Sequence, residues 1–395
     1  MSDLEAGPSR EPADRVSLGT IAQQWLRLGC IGFGGPPAHI SLLRRLCVED
    51  RRWMDAREFE DGIAATNLLP GPASTQLAIF CAWRLRGSRG GIIGGVCFIL
   101  PGLVLILALS ALFLSTHPPT WALGAAAGAG AAVPAVALHA AWGLVPASRR
   151  RIGTAPPEVF RWVGYALVGG VAAALVGPFL VLVLLGCGVI EIAIRRPSLG
   201  TSSGLGAAFP VTAAHAGAVG GFGALAWVAL KVGALSYGGG FIIIPLMQHD
   251  AVRTYHWMTG AQFLNAVALG QITPGPVVHT VAVVGYAAGG IGGGLFAAGV
   301  AFAPSFVFVL VGGPRFDQIR ANTSVQSFLT GVGPAVVGAI AGSAIPLGLA
   351  LQYRWQVAVL AGAALWLFVV RRGVVSCLLL AGAVGLVLAL AGVRV

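Results

Sequence analysis

The sequence predicts an all-α polytopic membrane protein made of two homologous halves of inverted topology, each interrupted by broken or re-entrant helices. Three observations predict it. The chain is 56% hydrophobic and 10% charged over 395 residues, with a mean hydropathy of +0.84, whereas a soluble domain carries about 25% charged residues. Apolar windows of about 20 residues, the length of a spanning helix, recur along it. One long stretch also aligns with itself, without gaps, at a shift of 204 residues.

The elements follow in chain order. Residues 1–17 are polar and mixed in charge, lack the basic-then-apolar pattern of a signal peptide, and read as a disordered tail. Windows long enough to span are 90–115, 118–145, 213–235, 286–311 and 328–350. The stretch 162–194 holds two spans turning at Gly177-Pro178, and 355–393 holds two turning at Arg371-Arg372-Gly373. About ten spans are expected. The first repeat runs over 18–195 and the second over 213–395. The Gly- and Ser-rich segment 196–212 reads as a flexible linker.

The 58 glycines and 23 prolines fall inside apolar windows. There, small residues let helices approach, and Pro or Gly breaks a helix where it lines a cavity. The net charge is +11, nearly all from arginine, with Lys231 the only lysine. The arginines lie mainly between windows, as the positive-inside rule expects, which argues against a nucleic-acid face. The six cysteines and seven histidines show no metal or redox spacing. No nucleophile triad, P-loop or dinucleotide fingerprint is present, so no enzyme, cofactor or metal is expected.

The self-alignment pairs Gly29 with Gly233, Phe33-Gly34-Gly35 with Tyr237-Gly238-Gly239, and Trp53-Met54 with Trp257-Met258. It also pairs Phe59 with Phe263 and Pro70-Gly71-Pro72 with Pro274-Gly275-Pro276. Charge differs between paired loops. Segment 44–57 holds five arginines and 248–261 holds one; loop 84–89 holds three and 288–293 none. Opposite charge character at equivalent loops is what inverted topology produces. An odd number of crossings, five, lies between equivalent points. Segment 58–83 has arginines on both flanks, so a re-entrant hairpin competes with a single broken span.

Three constellations could carry chemistry. In Gly32–His39 and Ser236–Phe241, small residues interrupt an apolar helix; a helix restarting there offers a positive N-terminus that suits an anion. In Asn67–Pro72 and Gln271–Pro276, Pro-Gly-Pro ends one half-helix and opens the next. Ser74, Thr75 and Gln76 follow in the first half, with His279 and Thr280 in the second. The third is the cation pair Arg27 and Lys231, costly in lipid and so a candidate anion attractor. Packing kinks and snorkelling are the bland alternatives. Glu191 lies one turn from Arg195, as a local ion pair would. Asp250, Glu49 and Asp50 read as loop acids that could gate or carry protons.

The strings FGGPPAH, RRWM, REFEDG, LLPGPASTQL and GGIIGGVCFILPG resemble the first half of the chromate transporter (CHR) family. YGGGFIIIP, WMTGAQF, ALGQITPGPV, VGY and APSF resemble its second half. The resemblance covers roughly residues 20–102 and 229–306. Leu46-Cys47, where a more polar stretch is expected, and Tyr237, where phenylalanine is expected, depart from the pattern. It implies a multi-pass exporter of chromate in a bacterial inner membrane, with sulfate as competitor and the lipid bilayer as surroundings. A homodimer is left open. The implied pattern is carried by Gly34, Gly35, Pro36, His39, Asn67, Pro70, Gly71, Pro72 and Gln76, and by Gly238, Gly239, Gln271, Thr273, Pro274, Gly275 and Pro276.

Overall fold

Proline and glycine decide where the helices stop. A computed structural model of the chain describes residues 16–67, 69, 71–115, 117–153, 155–176, 180–195, 221–236, 241–312, 318 and 321–395. The linker 196–212, most of the expected N-terminal tail and the turn at Gly177-Pro178 lie outside these residues. Among them every regular element is helical.

The first half opens with α1 (Leu18–Ile31), capped by the Ser17 side chain, which accepts from the Thr20 N–H. Two prolines at its first turn start α2 (Pro36–Arg44), which runs into a π-helical turn, Arg45–Asp50. Asp55 caps α3 (Ala56–Thr66) by accepting from the Glu58 N–H. Next come α4 (Ala73–Phe113), α5 (Thr120–Ile152), α6 (Pro156–Val171) and α7 (Leu180–Arg195). The second half comprises α8 (Phe222–Leu235), α9 (Ile243–His249) with a π-helical turn Asp250–Thr254, α10 (Gly260–Ile272) and α11 (Thr280–Gly312). It ends with α12 (Thr323–Leu349), α13 (Arg354–Ala364) and α14 (Val374–Leu390).

Local geometry recurs at the sequence shift. Helices α1 and α8 start at 18 and 222 and end at 31 and 235. The Arg51 N–H donates to the Leu46 carbonyl and the Tyr255 N–H to the Asp250 carbonyl; Met54 and Met258 likewise bond back to Cys47 and Ala251. Arg52 and His256 both hold φ at 51°, uncommon for residues with a Cβ. Asp55 and Thr259 are both N-caps. The segments 84–89 and 288–293, expected as loops, are instead sharp kinks within α4 at Arg86–Gly87 and within α11 at Gly289–Gly290. The acids expected on loops sit in the π-helical turns.

Five described helical stretches are long and apolar enough to cross a membrane: Ala73–Phe113, Thr120–Ile152, Pro156–Leu175, Val277–Gly312 and Thr323–Leu349. The 213–235 window yields only the 14 described residues of α8. Helices α1, α3, α8 and α10 have 14, 11, 14 and 13 residues. At about 1.5 Å per residue none reaches the ~30 Å of a hydrocarbon core. Large apolar side chains such as Phe160, Leu175 and Leu349 stand about 80% exposed, which a water-soluble surface would not tolerate on this scale. The chain is a multi-pass membrane protein.

Packing groups the helices by type rather than by half. Helix α1 lies on α4, α8 on α11, and α4 on α11, gathering the broken helices of both halves. Helix α5 packs on α14, α13 and α12, while α12 packs on α6 and α7. Small residues make these seams. A Cβ on Gly338 would collide with the Ala166 carbonyl, one on Gly342 with Gly170, and one on Gly124 with Gly385, the close approach that small residues permit in lipid.

Candidate functional site

The sequence places four chain breaks in the broken-helix group, and local chemistry explains the three that lie within the described residues. Gly32 caps α1 with its N–H on the Leu28 carbonyl. The next helix restarts on Pro36, whose missing N–H costs nothing at a first turn. His39, in that first turn, reaches back with Nε2 to the Gly32 carbonyl at 2.9 Å and sets its ring against Phe98 at 5.1 Å. Asn67 ends α3, and Pro72 opens α4. Thr273 ends α10, and Pro276 precedes the turn into α11. Gly71 and Gly275 lie at the centre of these two breaks with φ of 124° and 94°, a region only glycine enters freely.

The breaks of the two halves meet crosswise. The Gly275 N–H donates to the Gly32 carbonyl at 2.8 Å, joining the Pro-Gly-Pro break of the second half to the Gly-Gly break of the first. A Cβ on Gly35 would touch Val277 at 3.9 Å. In the opposite sense, a Cβ on Gly71 would lie 3.4 Å from the carbonyl of Gly233, which precedes the other Gly-Gly break. Gly102 on α4 lies against the Pro274 carbonyl and the His279 ring.

Polar side chains at these breaks are buried. His39, Ser74, Thr75, Gln76, Thr273 and His279 are all within 3% of full burial, and Gln271 is 7% exposed. Thr273 and Thr280 satisfy their hydroxyls on the Leu269 and Val277 carbonyls. His279 packs edge-on to Phe302 at 5.3 Å. Neither of its ring nitrogens makes a well-formed hydrogen bond, although the Ile99 carbonyl lies nearby. Thr75 Oγ1, Ser236 Oγ and Gln271 Nε2 are likewise buried without a partner among the described residues. Buried polar atoms are nearly always satisfied, so this group, each member at the edge of a break, is the candidate place for a polar ligand or water.

A cavity of about 200 Å³ opens beside the first-half break, bordered by Thr66, Asn67, Gly71, Ser148 and Arg151. At about 30 Å³ per water it takes several waters or a small oxyanion. Ser148 and Arg151, from the last turns of α5, were not foreseen. The run Arg149-Arg150-Arg151 resembles any cytoplasmic flank, and only the fold brings its end to Asn67.

The cation pair is not symmetric. Arg27 is exposed on α1 and makes no ion pair among the described residues. Lys231 is buried, forms a direct ion pair with Asp250, and lies 5.5 Å from the Trp227 ring. It is therefore not the free anion attractor expected, because a lone ammonium in this interior would be prohibitively costly. Glu191 pairs with Arg195 at 2.5 Å as expected, and also with Arg161 at 3.4 Å and the Tyr165 hydroxyl at 3.0 Å. Pro70, Tyr237, Gly238 and Gly239 lie outside the described residues.

Two segments of the chain, 19–192 and 223–387, match the chromate transporter family. The chain belongs to the chromate transporter family. It is 32% identical over 353 residues to the chromate transport protein of Cupriavidus metallidurans, covering 87% of this chain and 86% of that one. It is 32% identical over 402 residues to the chromate transport protein of Pseudomonas aeruginosa, covering 91% and 94%. It is 30% identical over 340 residues to a probable chromate transport protein of Synechococcus elongatus, covering 84% and 85%. No solved structure matches the chain.

Proposed function

We propose that this chromate transporter family member is a secondary transporter that exports chromate across the bacterial inner membrane, with sulfate as a competing tetrahedral dianion. The observation that carries the reading is the crossed set of breaks edged by unsatisfied buried polar atoms. Broken helices from two inverted repeats, meeting near the midplane, are a recurrent way of building an ion site. In the proposed site, N–H groups at the restarted helices, with Asn67 and Gln271, hold the oxyanion, and Arg151 draws it into the cavity from the cytoplasmic side. The inverted arrangement is supported by the recurring local geometry and by the opposite charge of paired loops.

Packing bears on which parts could move to alternate access. Rocking of one half against the other would tear the seams that α5 forms with α14 and α12 with α6. The moving body in this reading is instead α1–α4 with α8, α9 and α11, against a frame of α5–α7 and α12–α14 on which α10 is also seated. Two charges leaving a negative interior gain about 4.6 kcal/mol per 100 mV, so the membrane potential alone favours export.

Chromate uptake into everted vesicles tests this. Asn67→Ala and Gln271→Ala are each expected to lower uptake about tenfold, the effect of losing roughly 1.4 kcal/mol of interaction. An uncoupler should abolish uphill accumulation and sulfate should compete. If both variants take up chromate as the unaltered chain does, the site is wrong. If accumulation persists with the gradient collapsed, the driven-carrier reading is wrong.

A further inference from the structure

Lys231 and Asp250 form an ion pair across α8 and the π-helical turn after α9, each side chain 7% exposed. A charge pair buried in a membrane protein is expensive to assemble. The usual explanation is that the fold needs it, and the first half argues against that. Equivalent positions there are Arg27, exposed on α1, and Leu46. The same turn forms there with no ion pair back to α1, only exposed pairs of its own (Arg45 with Asp50, Arg44 with Glu49): Arg51 bonds back to Leu46 as Tyr255 does to Asp250, and Met54 to Cys47 as Met258 does to Ala251. Arg52 takes the same left-handed conformation as His256. The backbone can therefore be built with a leucine where Asp250 stands. The pair is confined to one half and is kept for something other than shape.

Its position suggests what. Lys231 is two residues before Gly233, whose carbonyl faces Gly71 in the opposite half's break, and five before Ser236, which carries an unsatisfied buried hydroxyl. Other ionisable groups around Asp250 are His249, Arg253 and Tyr255 on its own stretch. Helices α10 and α12, which pack there, carry none. Helix α7 brings Cys187, Glu191 and Arg195, and the last two are already paired with each other.

We propose that Asp250 is the proton-binding residue that couples transport to the pH gradient. A proton from the outer aqueous phase adds to the Asp250 carboxylate and makes it a neutral acid. The Lys231 ammonium then loses its counter-ion and turns to the oxyanion at the adjacent break. When the oxyanion leaves outward, the proton passes to the cytoplasm and the pair re-forms. One proton moves in for each oxyanion out, and no bond other than O–H is made or broken. This rests on the export reading above.

The test uses the full chain in everted vesicles, with chromate as probe and the potential clamped at zero by valinomycin and potassium. A pH gradient, acid inside, is imposed. One unit of gradient on one coupled proton corresponds to about a tenfold accumulation. The unaltered chain should accumulate chromate; Asp250→Asn should not, while retaining chromate–chromate exchange, which needs no gradient. The double variant Lys231→Gln with Asp250→Asn removes both charges and should keep the melting temperature of the unaltered chain in detergent while accumulating no chromate, separating coupling from folding. Asp250→Glu should restore accumulation with a displaced pH profile. The proposal is overturned if either Asn-bearing variant accumulates chromate from the pH gradient like the unaltered chain, or if Asp250→Asn loses exchange as well. Uptake by the unaltered chain that follows potential but never pH overturns it and leaves the export reading standing. Absence of any uptake by the unaltered chain overturns both.

Discussion

His279 is fully buried, packs on Phe302, and offers two ring nitrogens to a site where neither is well bonded. An unsatisfied buried polar group costs about 1–3 kcal/mol. His279→Leu, of similar volume, removes that cost and keeps the apolar contact. The expected outcome is a melting temperature in detergent that is unchanged or higher, with chromate uptake strongly reduced. A variant that unfolds would show instead that the nitrogens hold the fold together. His39 and His279 were legible as candidates because each follows a Pro-containing break, and a break forces its first-turn side chains toward one place. The partner of Lys231 was not legible. Asp250 lies 19 residues away beyond a break, and a charge at that separation has no periodic relation to the lysine. Arg27 shows the converse: sequence equivalence placed it beside Lys231 in kind, yet its side chain is exposed.

At the scale of the helix, the sequence's glycines divide into those that seam two helices and those that face open space. On α12, Gly338 meets the Ala166 carbonyl of α6, while Gly348 has nothing within 4 Å. Gly338→Leu must push α12 off α6 and is expected to cost about 1–3 kcal/mol or more. Gly348→Ala gains helix propensity, about 0.5–1 kcal/mol in favour. Thermal unfolding of the two variants side by side checks this, and equal melting temperatures would remove the close-packing account of the seam. Composition could say that glycine was there to pack helices, but not which helix each glycine meets. The same limit applies to the kinks at Arg86–Gly87 and Gly289–Gly290, where charge suggested loops while the backbone needs only two residues to turn. The Pro-Gly-Pro breaks were readable to within a few residues because proline cannot continue a helix from inside.

For the whole molecule, the decisive question is which side of the membrane each half faces. The local fold around Arg52 and His256 is the same: a π-helical turn, a residue at φ 51°, then Trp-Met and an N-cap. Both positions are exposed. Charge sets them apart, since Arg44, Arg45, Arg51, Arg52 and Arg57 crowd the first and only Arg253 accompanies the second. The positive-inside rule would put Arg52 in the cytoplasm and His256 outside. Two copies of one motif on opposite faces would require the halves to be inverted, with Gly275 against Gly32 and Gly71 against Gly233 as the contacts that cross between them. With the six native cysteines replaced, Arg52→Cys should react with a membrane-impermeant maleimide only in everted vesicles, and His256→Cys only in intact cells. Labelling of both from one face would make the repeat parallel. The crossed contacts from Gly275 to Gly32 and from Gly71 to Gly233 would then need an explanation other than a two-fold axis in the membrane plane.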